Sequence, residues 1–440
     1  MSEQYVERVI DLTDPARNRI QNMTADDARA RLASRIPGAV REIDGSFALV
    51  ARDGKRVLLA RSLDRPLRYF LAKQAAGPAL VVSDRIDAIL AVLKSEGLDG
   101  QFHPSYTRMV PAHHVVEIEL VGCPDPSPVY SRYFTPGRSL LPPDPSAIGP
   151  LYVAALVDEV ARWIRPIDPR EPIGVCFSGG IDSGAVFLAA YHVLASSGGN
   201  LGRLKAFTLS IAGGGDIDQA RAFLAPLGLE MFLEAIEAAP ESVDPFEAVR
   251  VIEDYKPLDV ESATMALALC RGIRERYPQW RFLLDGDGGD ENLKDYPIEE
   301  NPELTIRSVV NNPLLYQEGW GVGKMKHSLT YSGGQSRSYS RTYAPLRRHG
   351  FEGFSPFTRP EVIEVAEAIP FAEMAGGDTE RLYAIKGDVV SRGVLAVTGM
   401  AMPVFPKRRF QHGALAPNEA ARRLSFGEAS YRAHFLSLYG

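Results

Sequence analysis

One run, Ile173 to Ser183 (IGVCFSGGIDS), narrows the folds open to this 440-residue sequence more than any other. A short apolar stretch of strand character ends in Ser178-Gly179-Gly180-Ile181-Asp182-Ser183, and a helix-favouring segment, Gly184–Ala195, follows. A strand that passes through a glycine turn into a helix puts that turn at the carboxyl edge of an open α/β sheet, where ligands bind. The helix start offers free N–H groups and the positive end of a dipole, so it holds anions. Gly179 and Gly180 let the backbone approach a ligand closely, and Ser178 and Ser183 add hydroxyl donors. Asp182 beside a phosphate requires a bridging cation, for which Mg²⁺ is the natural choice. No GxxxxGK[ST] string occurs, so this is not a Walker loop. A turn with an Asx cap is the competing explanation.

The flanking pattern agrees. Leu151–Ile164 is an amphipathic helix pattern. Leu204–Ile211 reads as a strand before a helix over Asp218–Leu227, and a helix over Ser262–Arg276 precedes a strand over Arg281–Leu284. Such βα alternation predicts a parallel sheet with helices on both faces. The first third differs. After a helix over Ala25–Arg35, capped near Thr24 or Asp26, come β-type runs at Ser46–Arg52, Arg56–Arg61, Arg68–Ala72, Leu80–Ser83 and Val115–Leu120. Between the halves, Pro136–Pro150 contains five prolines and reads as a linker. The expectation is a β-rich domain over 1–135, a linker over 136–150 and an α/β domain over 151–440.

Composition removes several classes of function. The net charge of -6 is spread without a long basic run, which argues against nucleic acid. Cys123, Cys176 and Cys270 lie far apart without a CxxC pair, so neither a disulfide framework nor a zinc site is expected. The start, MSEQYVERVIDL, is too polar for a signal peptide, and no run of about 18 apolar residues could span a bilayer. A cytoplasmic protein without membrane partners is expected.

The string at 178–183 resembles the SGGxDS signature of the N-type ATP pyrophosphatases, among them asparagine synthetase, argininosuccinate synthetase, GMP synthetase and tRNA-modifying enzymes. The resemblance implies ATP as substrate, a loop that grips the leaving pyrophosphate, and transfer of AMP to a carboxylate or carbonyl oxygen before nucleophilic attack. Further stretches are similar to asparagine synthetase in order and spacing. Leu284–Glu291 (LDGDGGDE) resembles LSGEGSDE. That resemblance implies a nucleotide contact at Gly286 and a second Mg²⁺-binding carboxylate, Asp290, beside Asp182. Asp287 falls where asparagine synthetase has Glu and β-lactam synthetase has Tyr. Gly350–Phe357 (GFEGFSPF) resembles GVEARVPF, which makes Glu352 a candidate proton acceptor alongside Asp287. Pro406–Gly413 (PKRRFQHG) resembles PKxxFxxG and aligns Lys407 with the family lysine near the α-phosphate and the acyl-adenylate. The backbone of Leu209, Ser210 and Ile211 would border the adenine. Asp218 resembles the acidic residue that opens the next helix, a helix N-cap being the alternative.

Two departures shape the expected reaction. Asp44–Phe70 and Val81–Leu90 resemble parts of the glutamine amidotransferase domain of the same enzymes, an N-terminal-nucleophile fold of packed sheets. Glutaminase chemistry there uses an N-terminal Cys, whereas Ser2 follows Met1 here, so glutamine hydrolysis is expected to be absent. In Asp259–Leu267 (DVESATMAL), which resembles DVTTIRAST, Thr264 stands where that family has Arg near bound aspartate, and Glu261 stands where Thr is usual. Loss of the Arg weakens the case for aspartate, and Glu261 would suit a cationic group. The expectation is an AMP-forming ligase that joins a small-molecule carboxylate to an amine or to ammonia. An intramolecular lactam synthetase, a tRNA- or nucleobase-modifying pyrophosphatase and a non-catalytic nucleotide-binding protein are the alternatives. Gly319–Lys324 (GWGVGK) is a candidate lid. Homodimers occur in the family, though no self-complementary surface is legible.

Overall fold

Period-2 alternation organises the first part of the chain. In the computed structural model, which describes residues 8–74, 77–121, 127–295, 298–300, 305–311, 339–406 and 413–440, ten strands precede residue 135. They are β1 (Arg8–Asp11), β2 (Arg19–Ile20), β3 (Gly45–Ser46), β4 (Ala48–Asp53), β5 (Arg56–Arg61), β6 (Arg68–Gln74), β7 (Gly77–Ser83), β8 (Arg108–Met109), β9 (His114–Glu119) and β10 (Val129–Arg132). Two four-stranded sheets result, ordered β1-β7-β6-β8 and β10-β9-β5-β4, with β2 and β3 pairing separately. Val57 and Leu59 of one sheet pack with Tyr69, Leu80 and Val82 of the other. Their neighbours point outward: Leu58 and Ala60 meet α1 (Ala25–Ala33) and α2 (Pro37–Arg41), while Phe70, Ala72 and Val81 meet α3 (Ile86–Ser95). The layering is helix, sheet, sheet, helix. Thr24 starts α1 with a capping box, its hydroxyl accepting from the Asp27 amide at 3.1 Å.

The described residues form two compact units, 8–135 with 433–440, and 136–432. The second unit opens with α4 (Pro145–Ile164), which takes in the last six residues of the expected linker. Asp144 caps this helix and Pro145 occupies its first turn, where a missing N–H is harmless. Pro150 is carried inside it. Prolines there read as breakers in the sequence, but the first of them initiates. A Cβ on Gly149 would lie 2.5 Å from the Val389 carbonyl of the helix Thr379–Thr398, so glycine is what lets these two helices cross closely.

Five parallel strands form the second unit's sheet in the order β13-β12-β11-β14-β15. They are β11 (Ile173–Cys176), β12 (Leu204–Ile211), β13 (Leu233–Ala238), β14 (Phe282–Leu284) and β15 (Glu352–Phe354). One face is covered by α4, α5 (Ile181–Ser196) and the Thr379–Thr398 helix, through Leu156, Phe187 and Val389. On the other face Met265, Leu269 and Ile273 of α8 (Pro257–Arg276) pack on Phe207, Leu209 and Ile236. Burial on both faces is what a parallel sheet requires. From β11 the chain proceeds to β12 and β13 on one side, then crosses to β14 and β15 on the other. The crevice between the loops after β11 and β14 is therefore a topological switch point. Among the described residues no helix is long and apolar enough to cross a membrane.

Candidate active site

Both glycine-rich motifs lie at that switch point. After β11 the chain turns through Gly179 at φ 71°, and a Cβ there would stand 2.9 Å from the Gln219 backbone. The loop is laced internally. The Ser178 amide donates to Ser183 Oγ at 3.2 Å, the Gly180 amide donates to Ser178 Oγ at 3.4 Å, and Gln219 Nε2 donates to the Ser178 carbonyl at 3.1 Å. Gly180 caps α5 without a side-chain hydrogen bond, which keeps the helix start open to an anion.

The loop after β14 packs directly against it. A Cβ on Gly286 would lie 2.8 Å from the Ser183 amide nitrogen, and one on Gly289 would lie 2.2 Å from Asp182 Oδ1. Asp285 shapes the second loop, accepting from the Asp287 amide at 3.0 Å and from Ser355 Oγ at 2.9 Å. Asn292 secures the short helix Gly289–Asn292 by donating to the Phe357 carbonyl at 3.0 Å and to the Tyr152 hydroxyl at 3.2 Å.

Between the loops stands Lys386, which is 3% exposed. Its Nζ donates to Asp182 Oδ2 at 2.6 Å, to Asp290, and to Asp295 Oδ2 at 3.3 Å. Burial pulls the ammonium down, yet the three carboxylates outweigh it and hold it well above its ordinary value. Burial pushes Asp182 up, against the pull of Lys386. Asp182 and Asp290, far apart in sequence, thus meet on one cation.

A second charged cluster adjoins the same loop. Asp287 accepts from Thr342 Oγ1 at 2.5 Å. Arg341 lies 3.4 Å from Asp259 and 3.5 Å from Glu291. Burial pushes Asp287 up to about 6, with Arg341 and the Thr342 hydroxyl opposing and Glu291 and Asp290 reinforcing.

Leu209 and Ser210 end β12, where Ser210 Oγ donates to the Gly214 carbonyl at 3.4 Å. The chain at 413–416 runs alongside: the Ile211 amide donates to the Ala414 carbonyl at 2.8 Å. Lys407 and Cys123 lie outside the described residues, as does Gly319–Lys324. Glu352 is not brought to the crevice. It starts β15, opposite Phe282 at the amino end of the strands, and pairs with Arg281 at 2.7 Å. Thr264 is buried on α8, its hydroxyl donating to the Val260 carbonyl at 2.7 Å, and Glu261 is half-buried one turn earlier. Asp218 does not cap its helix: Gly215 does, and Asp218 is exposed beside Arg221 at 3.5 Å.

Lys386, Asp295, Arg341, Thr342 and Asp259 were not singled out by sequence reasoning. Lys386 alone left a clear signal. Leu382, Ile385, Val389 and Val390 are buried on its helix, so a lysine at that spacing falls on the apolar face. Such a lysine needs buried partners.

Asp182 and Asp290 supply the hard oxygen donors that Mg²⁺ favours. No group of three or more His, Cys, Asp or Glu is arranged to hold a metal among the described residues. Asp182 and Asp290 alone would therefore leave most ligand positions of a bound ion to phosphate and water.

Residues 165–346 match the family model described as asparagine synthase. The match spans the Ser178–Ser183 loop, the Asp285–Glu291 loop and Arg341, and ends before Lys386. It supports a ligase of the asparagine synthetase family, ATP-using and amide-forming in general terms. A search of curated proteins finds no match to the chain.

Proposed function

We propose that the protein activates a substrate carboxylate by transfer of AMP from ATP, releases pyrophosphate, and joins the acyl group to an amine or free ammonia. The observation that carries this reading is the meeting of Asp182 and Asp290 on Lys386, between two loops that only glycine permits to touch.

The start of α5 and the Ser178 and Ser183 hydroxyls hold the β- and γ-phosphates. Asp182 and Asp290 would hold Mg²⁺, which when bound neutralises triphosphate charge. Lys386, held between the two loops, adds a fixed positive charge beside the phosphates. A carboxylate oxygen of the substrate attacks the α-phosphorus. The bond from the α-phosphorus to the bridging oxygen breaks, and its electron pair leaves with pyrophosphate. The amine nitrogen then attacks the acyl carbon, and the carbon–oxygen bond to AMP breaks. Asp287, held near 6, accepts the proton released from nitrogen. Lys407, by family resemblance, steadies the adenylate. Glu352 has no part in this sequence of steps, because it lies at the other end of the strands.

The helix–sheet–sheet–helix layering supports a front unit of amidotransferase type. In this reading it is kept as a scaffold, and glutamine is not used. ATP–pyrophosphate exchange with a panel of carboxylates tests the reading. Exchange dependent on one carboxylate class, with AMP as product, is expected. ADP formation, or glutamate release from glutamine, would overturn the corresponding half of the proposal.

A further inference from the structure

A single turn of helix, Gly289–Asn292, carries Asp290, and one turn does not hold itself. The amides of Asn292 and Leu293 donate to the carbonyls of Gly288 at 3.0 Å and Gly289 at 3.1 Å. The Asp295 amide then closes the turn on the Asp290 carbonyl at 3.0 Å. That last bond spans Lys294, whose φ is 56°. Many helices end in this way, and the residue in the left-handed position is usually glycine. An L side chain is disfavoured there, because its Cβ crowds the next carbonyl. Backbone preference therefore does not account for a lysine at this position.

Its side chain does. Lys294 Nζ donates to Glu367 Oε1 at 2.5 Å and stands 5.7 Å from the centre of the Phe371 ring. Lys294 is 1% exposed and Glu367 is 3% exposed. Glu367 ends the helix Pro360–Glu367 and is itself held. Arg138 Nε lies 3.4 Å from Glu367 Oε2, and the Ser139 amide donates to the Glu367 carbonyl at 3.1 Å. Phe371 belongs to the core beneath the parallel sheet. The far end of this strut is thus fixed in the fold, and its near end is the backbone between Asp290 and Asp295. Both of those carboxylates accept from Lys386. Five positions apart in sequence, they reach one ammonium because the chain turns at Lys294.

We propose that Lys294 is a positioning residue for the metal site. Its grip on Glu367 fixes the turn that sets Asp290 and Asp295 beside Lys386, and so governs how much Mg²⁺ adds to nucleotide binding. This deepens the ligase reading above and rests on its assignment of Asp290 to Mg²⁺. A buried ion pair adds little net stability, because desolvation offsets the attraction, so the use of this one is geometric. Lys294 acts through the backbone and takes no part in bond making.

The test reads metal and nucleotide separately on the full-length protein. Calorimetric titration with a non-hydrolysable ATP analogue, with Mg²⁺ and in chelator, gives two Kd values whose ratio measures what the metal adds. Lys294→Gly is the informative variant, since glycine suits the left-handed position and only the strut is lost. In Lys294→Gly the ratio should fall on the order of 10-fold, with the metal-free Kd unchanged. In turnover assays the Mg²⁺ concentration for half-maximal rate should rise by a similar factor, while kcat at saturating Mg²⁺ returns toward wild type. Glu367→Gln keeps the lysine and weakens its acceptor, so it should shift the ratio in the same direction by less. A lysine needed only for the fold would change the melting temperature and leave the ratio at its wild-type value, which overturns the proposal. Equal wild-type affinities with and without Mg²⁺ overturn it too, by removing the metal from this pair. Absence of AMP with every carboxylate removes the ligase reading, and the analogue titration still decides the role of Lys294. Should Lys294→Gly fail to fold, Glu367→Gln decides.

Discussion

Each unit of this protein buries a basic side chain, and the two are used differently. Arg61, 2% exposed in the front unit, donates from Nε to the Val110 carbonyl at 2.6 Å and from Nη1 to the carbonyls of Leu63 at 3.0 Å and Arg65 at 2.9 Å. Lys386 in the second unit donates to three carboxylates instead. Backbone carbonyls are fixed parts of the fold and cannot be traded for a ligand. Carboxylates gathered on one ammonium can pass to another cation, which frees the ammonium for an anion. The contrast separates a cation bound to backbone from one bound to carboxylates, which suits the second to the proposed chemistry.

Replacing each cation should give opposite profiles. Lys386→Met should lower turnover about 10²–10³-fold by removing a cation from the phosphate site. It should also lower nucleotide-free stability by roughly 3–5 kcal/mol, because three carboxylates are left facing one another. Chemical denaturation with and without Mg²⁺–ATP reads both effects, and the ligand should recover part of the loss. Unchanged turnover would class Lys386 with Arg61. Arg61→Met should show the opposite profile. Stability should fall by about 1–3 kcal/mol, since buried carbonyls lose their donor, while exchange per folded molecule stays the same. A loss of exchange in well-folded Arg61→Met would contradict the scaffold role.

Backbone contact at the crevice gives the next effect. Gly289→Ala places a methyl group 2.2 Å from Asp182 Oδ1, so the two loops must part. Turnover should drop with little change in melting temperature, measured by paired exchange and calorimetric scans. Equal loss of both would mean the contact is structural.

The smallest effects are pH dependences. Asp287 is raised to about 6, chiefly by burial. As a proton acceptor it works ionised, so kcat should climb as pH rises through about 6 and then level off. In Asp287→Asn that limb should vanish from the pH–rate profile. Asp254, also raised to about 6, acts on stability. A raised folded-state carboxyl favours the folded state in its protonated form. That contribution is present below the unfolded value of about 4 and is lost as pH rises through about 6. Asp254→Asn should flatten the melting-temperature profile across this window relative to wild type.

The parts legible in the sequence were those with strong local periodicity or strong turn chemistry. The strands Arg56–Arg61 and Leu204–Ile211 occur with the expected bounds, and the Ser178–Ser183 loop joins a strand to a helix as expected. Three-residue β15 is too short for any period to show, and Pro145 starts a helix where a proline-rich stretch suggested a linker. Site residues set by tertiary contact were hidden. Glu352 carries a motif resemblance, yet strand register alone places it at the amino end of the sheet. Asp259, Arg341 and Asp295 draw their meaning from partners at distant positions, and no local pattern announces such meetings.

Transfer of heavy oxygen from a labelled carboxylate to its phosphorus-containing product distinguishes adenylation from phosphorylation in one experiment. If the crevice built by Asp182, Asp290 and the Ser178–Ser183 loop performs adenylation, the label appears in AMP and pyrophosphate forms alongside it. Label in inorganic phosphate, with ADP as the nucleotide product, would mean that the crevice phosphorylates its substrate instead.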